Sequence, residues 1–380
     1  MAQVSAADGR DGRRQRVLLV VGTRPEAIKL APVALRLKRE PEVFDTVVCA
    51  TGQHREMLDS ALELFGLAPD VDLDLMRPGQ TLNAIAAGVF ERFERTLADV
   101  EPDWVLIQGD TTTAMAAALA AFHRRVPVGH VEAGLRTGDF DNPFPEEMNR
   151  RVADLVSAAH FAPTPRSAAA LRREGAAAAT VHVTGNTVVD ALEWIAEHSE
   201  APDGEPMVLV TTHRRESFGA PMRRVLRAVG RLARRFPELT FIFPVHPNPA
   251  VREAAAVLRE VANVRLVEPA DYRQLVAWMR SCRIILTDSG GIQEEAPTFG
   301  KPTLVLRETT ERPEGIEAGV AKLVGTDEEL IFREAERLLT DADRYAAMAR
   351  TGNPYGDGRA ADRIADVLAG RAAEPFAPAP

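Results

Sequence analysis

Short, wholly apolar runs alternate with longer amphipathic stretches along almost the entire chain. In the first half the runs are VLLVV from Val17, TVVCA from Thr46, WVLIQ from Trp104, VPVGHV from Val126, HFAPT from His160 and VHVTG around His182. After Glu205 come MVLVTT, TFIFPV, VRLVEP, RIILTD, PTLVLR and AKLVG. A run with no polar alternation has no solvent face, so it predicts a strand covered on both sides. Strands of this kind, separated by helix-length segments, predict parallel sheets with helices on both faces, an α/β fold.

The two halves repeat one pattern. VLLVVGTRPE and MVLVTTHRRES each pass from buried strand to basic loop, glutamate and helix. WVLIQGDTTTAMA and IILTDSGGIQEEA each end a strand on an aspartate and a hydroxyl before a helix. The acidic, Gly- and Pro-containing stretch Glu197 to Pro206 reads as a linker. The pattern predicts two doubly wound Rossmann-like domains, residues 16–190 and 205–356. Such sheets bind ligands beyond the C-terminal ends of their strands, so two facing domains would turn the loops of both halves onto a central cleft. A helix over 359–371, after GNPYGDG, is expected to pack back on the first domain. Residues 1–15 and 372–380 read as disordered tails.

Composition narrows the function. The 380 residues exceed a single core, and the 46% hydrophobic and 27% charged fractions are those of a soluble globular protein. A net charge of −9 opposes a nucleic-acid partner. No apolar run is long enough to span a bilayer and no signal-peptide pattern opens the chain, so a cytoplasmic protein is expected. Cys49 and Cys282 sit near the ends of apolar runs and read as buried hydrophobes in a reducing compartment. There is no GxGxxG after a strand, no P-loop, no GxSxG and no Cys/His cluster. The expectation is therefore no redox cofactor and no metal.

Polar residues collect at predicted strand ends. Asp288-Ser289-Gly290-Gly291 joins a strand to a helix, where unpaired N–H groups and the helix dipole attract anions. The two glycines allow close approach and Ser289 adds a hydroxyl, so the turn reads as a diphosphate cradle. Arg24 offers a guanidinium to phosphate or carboxylate, with an ordinary loop arginine as the alternative; Lys29 follows one helical turn later. Asp110 ends a strand, and helix capping is its plain alternative. Glu132 ends another strand where no helix starts, which suits a general acid or base. His130 lies among apolar residues and reads as a core histidine. Glu146 and Arg150 are four apart, a surface ion pair or a third carboxylate held by an arginine. His213, Arg214, Arg215 and Glu216 cluster after a strand, where His213 could bind phosphate or act as acid on a leaving group. His246, boxed by prolines, and Arg312, flanked by glutamates, complete the set.

In this order GTRPE, TGQH, GDTTT, VEAGLR, FPEEMNR, THRRES, VHPNP, DSGGIQEEAP and TTERPE closely resemble the non-hydrolysing UDP-N-acetylglucosamine 2-epimerases, from Val17 to about Leu368. The resemblance implies a GT-B-type fold, a homodimer, and reversible conversion of UDP-GlcNAc to UDP-ManNAc for cell-surface polysaccharide synthesis. By matching motifs it implies that Asp110, Glu132 and Glu146 are acid/base carboxylates. It implies UDP contacts at Arg24, His213, Ser289, Gly290, Glu295 and Arg312, and active-site positions at Lys29 and Arg150. A second, activating UDP-GlcNAc would meet Gln53, Glu146, Arg214 and His246. Glu56 in place of a glutamine and Gly79 in place of an arginine weigh against that activation. The chemistry implied is elimination of UDP to 2-acetamidoglucal and re-addition, under domain closure and without a redox cofactor. The nearest rival is the same reaction on a modified sugar such as UDP-2,3-diacetamido-glucuronate. Hydrolysing relatives, a GT-B glycosyltransferase and a non-catalytic nucleotide-sugar sensor rank behind it.

Overall fold

The apolar runs form strands at the positions the pattern marks, and the computed structural model describes residues 13–52, 55–75, 77, 79–200, 206–214, 217–349 and 352–378. The first half runs β1 (Gln15–Val21), α1 (Arg24–Lys38), β2 (Phe44–Ala50), α2 (Arg55–Leu64), β3 (Val71–Asp72), α3 (Leu82–Val100), β4 (Trp104–Gln108), α4 (Thr112–His123), β5 (Val128–Val131), α5 (Glu146–Val156), β6 (Ala159–Ala162), α6 (Pro165–Arg173), β7 (Val181–Val183) and α7 (Thr187–Glu197). All pairings are parallel, in the order β3-β2-β1-β4-β5-β6-β7. Val17 to Val21 are each no more than 3% exposed, as a strand covered on both faces requires. Two-residue β3 is absent from the sequence reading because so short a strand carries no periodicity.

The second half runs β8 (Met207–Thr211), α8 (Ala220–Arg235), β9 (Thr240–Pro244), α9 (Pro249–Ala255), β10 (Val264–Val267), α10 (Tyr272–Ser281), β11 (Cys282–Thr287), α11 (Gly290–Glu295), β12 (Thr303–Val305), α12 (Pro313–Glu317), β13 (Ala321–Leu323), α13 (Glu328–Thr340), α14 (Ala342–Ala349) and α15 (Ala360–Leu368). Its sheet is also parallel, ordered β10-β9-β8-β11-β12-β13. In α8, Met222, Val225, Leu226, Val229 and Leu232 are buried while Arg227 and Arg231 pair with Glu328 on the outer side. That is the amphipathic stripe a sheet-covering helix needs.

The chain divides into two units, one up to Ala191 and again from Gly356 to Ala377, the other Leu192–Tyr355. The boundary falls inside α7, ahead of the stretch read as a linker. In the first unit α15 packs on α1. The Asp190 carboxylate accepts from the Ala360 and Ala361 N–H groups at 3.2 and 2.8 Å, capping α15, and Arg36 Nε meets Asp362 at 2.5 Å. A Cβ at Gly356 would lie 2.9 Å from Val189 Cγ2, so the return crossing needs glycine there.

Two tail expectations need correction. Gln15 already belongs to β1 and donates to Val43 O at 2.7 Å; residues 1–12 lie outside the described residues. The closing segment is packed as far as Phe376, which is 4% exposed, donates its N–H to Val183 O at 2.8 Å and lies against the Arg363 guanidinium. An aromatic ring can bury enough apolar area to hold a Pro-rich segment down. Among the described residues no helix is long and apolar enough to cross a membrane.

Candidate active site

Each sheet reverses its winding once, at β1/β4 in the first unit and at β8/β11 in the second. Loops diverge at these points, which is where doubly wound sheets bind ligands. Four of the nine motifs, GTRPE, GDTTT, THRRES and DSGGIQEEAP, follow the strands there, and the others follow neighbouring strands or open α5.

In the first unit Thr23 caps α1 and Glu26 closes a capping box. Buried Glu26 accepts from the Gly22 and Thr23 N–H groups at 2.7 and 2.6 Å and from the Thr111 hydroxyl at 2.6 Å. One carboxylate thus stitches the β1 loop to the β4 loop. Burial pushes its carboxyl above the ordinary value, against the hydrogen bonds from Thr111, Gly22 and Thr23. Arg24, the first residue of α1, is exposed beside this stitch.

Asp110 leaves β4 one residue ahead of the α4 cap. Thr111 does the capping, its hydroxyl accepting from the Ala114 N–H at 3.0 Å, so the capping alternative for Asp110 falls away. The Asp110 carboxylate pairs instead with Arg150 Nη2, and Asn149 Nδ2 donates to Asp110 O at 2.9 Å. Arg150 also faces Glu147 at 3.6 Å, so the pairing expected between Glu146 and Arg150 is replaced by Asp110 and Glu147. The shared helix face allowed the pair, but α5 points Arg150 toward the β4 end. Glu146 is the first residue of α5, and its Oε2 is buried with no hydrogen-bond partner among the described residues.

Glu132 follows β5 with φ +67°, a left-handed conformation unusual outside glycine. Such strain, about 1 kcal/mol or more, persists only where the surroundings enforce it. Here the Glu132 N–H donates to Phe161 O at 3.0 Å, while Lys29 Nζ and Gln108 Nε2, the latter at 3.0 Å, both meet carboxylate Oε2. The Lys29 and Glu132 side chains are 13% and 7% exposed. Breaking so enclosed a pair by removing one partner leaves a poorly solvated charge.

In the second unit the stitch runs the other way. Asp288, fully buried at the end of β11, accepts from the Thr212 hydroxyl at 2.8 Å and from the N–H groups of His213 and Arg214 at 2.9 and 3.0 Å. Ser289 caps α11. A Cβ on Gly290 would lie 3.5 Å from Arg214 Nη2 and 3.7 Å from Arg312 Cζ, so two guanidiniums converge above this glycine. Arg312 is oriented by Glu294 at 2.6 Å and Glu311 at 3.1 Å; Arg214 Nε is buried with no hydrogen-bond partner among the described residues. Glu295 accepts from the Tyr272 hydroxyl at 3.0 Å, and Gly291 lies between Glu295 and Ser289.

His213 stacks on His246, with ring centroids 5.8 Å apart. Burial pushes His213 below its ordinary value; Asp288 opposes this, and Arg214 and His246 add to it. The exposed His246 accepts at Nδ1 from the Asn248 N–H, 3.2 Å away. Gln53, Arg215 and Glu216 lie outside the described residues. No cluster of three or more His, Cys, Asp or Glu arranged for a metal occurs among the described residues.

This motif set sits on a chain whose relatives are well defined. The family model described as UDP-N-acetylglucosamine 2-epimerase matches residues 35–369. The chain belongs to that family. The UDP-N-acetylglucosamine 2-epimerase of Escherichia coli strain K12 is 48% identical over 369 residues, covering 93% of this chain and 98% of the relative. A crystal structure of a putative UDP-N-acetylglucosamine 2-epimerase from Listeria monocytogenes is similar with a TM-score of 0.89 at 44% identity, covering 94% and 96% of the two chains. The Neisseria meningitidis UDP-GlcNAc 2-epimerase, solved bound to UDP-GlcNAc, gives a TM-score of 0.86 at 45% identity, covering 93% and 99%. The fold is accordingly GT-B-type, with two parallel Rossmann-like domains.

Within the first domain the structure gathers Lys29, Asp110, Glu132 and Arg150 around the ends of β4 and β5, linked by two ion pairs. Within the second it gathers His213, Arg214, His246, Ser289, Gly290 and Arg312 around the β8/β11 switch. Gln108, Asn149 and Glu294, to which the motif reading assigns no role, grip these residues, and Asp288, read as part of the cradle turn, grips the β8 loop; only their partners reveal these roles.

Proposed function

We propose that this chain interconverts UDP-GlcNAc and UDP-ManNAc by inverting C2 of the sugar. The observation that carries the reading is the pair of strand-end carboxylates in the first domain, Asp110 and Glu132, each gripped by a basic residue; Glu146, at the start of α5, is the third carboxylate that the resemblance implies. The C2–H of the sugar has no adjacent carbonyl, so direct proton abstraction is too costly. The C1–O bond to UDP breaks first or runs ahead, its electron pair leaving with the UDP oxygen. The cationic character at C1 acidifies C2–H, and a carboxylate accepts that proton, giving 2-acetamidoglucal and UDP. A second carboxylic acid then protonates C2 on the opposite face while a UDP oxygen re-forms the bond to C1. No water is consumed, which separates this reaction from hydrolysis.

Arg214 and Arg312 over Gly290, with Ser289 and His213, support a diphosphate site that stabilises the charge growing on departing UDP. Tyr272-held Glu295 suits the ribose hydroxyls, and Arg24 in the first domain is a separate candidate guanidinium for phosphate. His213 is also suited to give a proton to the leaving oxygen. For a second, activating nucleotide sugar the candidate contacts are Gln53 and Glu146 in the first domain and Arg214 and His246 in the second, with Glu56 and Gly79 weighing against activation; sigmoidal rate dependence on UDP-GlcNAc that H246A removes is the test.

A homodimer is supported by the exposed apolar Phe90, Phe122, Met148 and Leu155 on α3, α4 and α5, which pack side by side. Sedimentation of L155E as a monomer, against a wild-type dimer, is the expected result. A cytoplasmic setting is supported by the free buried thiols of Cys49 and Cys282, both pushed up to about 12 by burial.

The decisive experiment is incubation with UDP-GlcNAc in deuterium oxide. UDP-ManNAc carrying deuterium at C2 is expected. An epimerised product that keeps its original C2 hydrogen, or no epimerised product at all, sinks the reading.

A further inference from the structure

We propose that His130 is a positioning residue that fixes the backbone of Asp110 through the carbonyl of Gly109. The inference rests on the acid/base reading of Asp110 given above. His130 is fully buried in β5, between β4 and β6. Its Nε2 lies 2.8 Å from Gly109 O and its Nδ1 lies 2.6 Å from Asp154 Oδ1. A carbonyl only accepts, so Nε2 carries a proton and donates it to Gly109 O, while Nδ1 faces the Asp154 carboxylate.

Asp154 is ionised in this arrangement. Burial alone would raise its carboxyl, but the facing charges of His130 and Arg136 hold it below the ordinary range. Arg136 Nη2 is 2.7 Å from Asp154 and 2.7 Å from Glu174. A line of contacts, Glu174–Arg136–Asp154–His130, therefore ends on the carbonyl directly before Asp110. His160 braces it by meeting Asp154 O at 2.9 Å.

Gly109 has φ +72°, the kink that turns the chain out of β4, and its N–H donates to Val131 O at 3.1 Å. With Gly109 O held by His130 and Asp110 O held by Asn149, the peptide units on both sides of the Asp110 Cα are anchored. Asn149, Arg150 and Asp154 all come from α5, so one helix fixes the carboxylate, its backbone and the histidine behind it. A buried charged pair is seldom more stable than an apolar substitute of the same size, so stability alone does not account for this device. Fixing a reacting group to a fraction of an ångström does, because small displacements cost large rate factors.

The test uses the full chain. In H130Q the amide reaches one acceptor but not both. Turnover is expected to fall by about 100-fold while KM for UDP-GlcNAc and the affinity for UDP stay unchanged. In the wild-type protein, nitrogen-15 NMR of labelled histidine is expected to show a hydrogen-bonded N–H at Nε2 of His130. Wild-type turnover in H130Q, an equal loss of UDP affinity and turnover, or a His130 ring with no N–H at Nε2 overturns the proposal. If H130Q does not fold, D154N decides: lowered turnover at unchanged UDP affinity supports the positioning role, and wild-type turnover overturns it. Absence of C2 exchange in the wild type would count against the proposed reaction, whereas the Nε2–H signal of His130 reports on the anchoring by itself.

Discussion

The switch points at β1/β4 and β8/β11 share one topology and differ in what they present. In the first domain a helix glutamate, Glu26, does the stitching, and the strand ends carry Asp110 and Glu132 tied to Arg150 and Lys29. In the second domain the strand-end aspartate, Asp288, is consumed as the stitch, binding backbone N–H groups of the β8 loop. Arg214, whose N–H binds Asp288, and Arg312, held by Glu294 and Glu311, lie over a glycine-lined helix start. The sheet decides where a crevice forms, and the loop residues decide its sign. The same residue type at equivalent strand ends, Asp110 and Asp288, is a candidate for proton transfer in one domain and a structural rivet in the other.

The contrast breaks most sharply through D110N and E132Q. Each is expected to lower C2 exchange by about 10²–10⁴-fold while UDP affinity, measured by calorimetry, holds. Wild-type exchange in both would remove the first domain's carboxylates from the chemistry. Next in size is R312A, expected to weaken UDP binding by roughly 10–100-fold, the loss of a charge-assisted contact of about 1.5–3 kcal/mol. Unchanged UDP affinity would show that the second switch point is not the anion site.

Glu147 separates holding from chemistry within α5. It is buried and accepts from the Thr137 and Gly138 N–H groups and from Arg151. E147Q should cost about 2 kcal/mol in urea unfolding. Burial would raise the Glu147 carboxyl, yet these donors and Arg150 hold it below the ordinary value. Its contribution is thus present above the unfolded carboxyl value of about 4.3 and lost as pH falls through the folded value. The acid limb of the wild-type stability curve should be steeper than that of E147Q.

The smallest effect concerns His213. Burial holds it below its ordinary value, so free protein binds that proton weakly. A bound diphosphate favours the charged ring, so affinity for UDP-GlcNAc should rise as pH falls from the bound-state value toward the free-state value. The change should stay below about tenfold, or about 1.4 kcal/mol. H213N should flatten it in calorimetry across pH, and an unaltered profile would exclude His213 from the phosphate contacts.

Much of this was readable along the chain. Apolar runs located the strands, and polar residues next to them were bound to emerge at the C-terminal edge of a parallel sheet. Thr23 and Glu26, three apart, carry a local capping signature. Misreadings came where local spacing suggested a partner that distance in sequence overruled. Glu146 and Arg150 share a helix face, yet the arginine turns to Asp110, 40 residues earlier. Phe376 looked like part of a loose tail until its ring and N–H met Arg363 and Val183.

The sequence by itself determined the period, the parallel sheets and the residue types delivered to each strand end, because strand burial and helix amphipathicity are set by neighbours a few positions away. Only the tertiary structure decided which charges meet. His130 looked like any core histidine until β4 and α5 brought Gly109 O and Asp154 to its two nitrogens. Hydrogen bonds and ion pairs act over about 3 Å, and folding brings within that range groups that the chain separates by tens of residues.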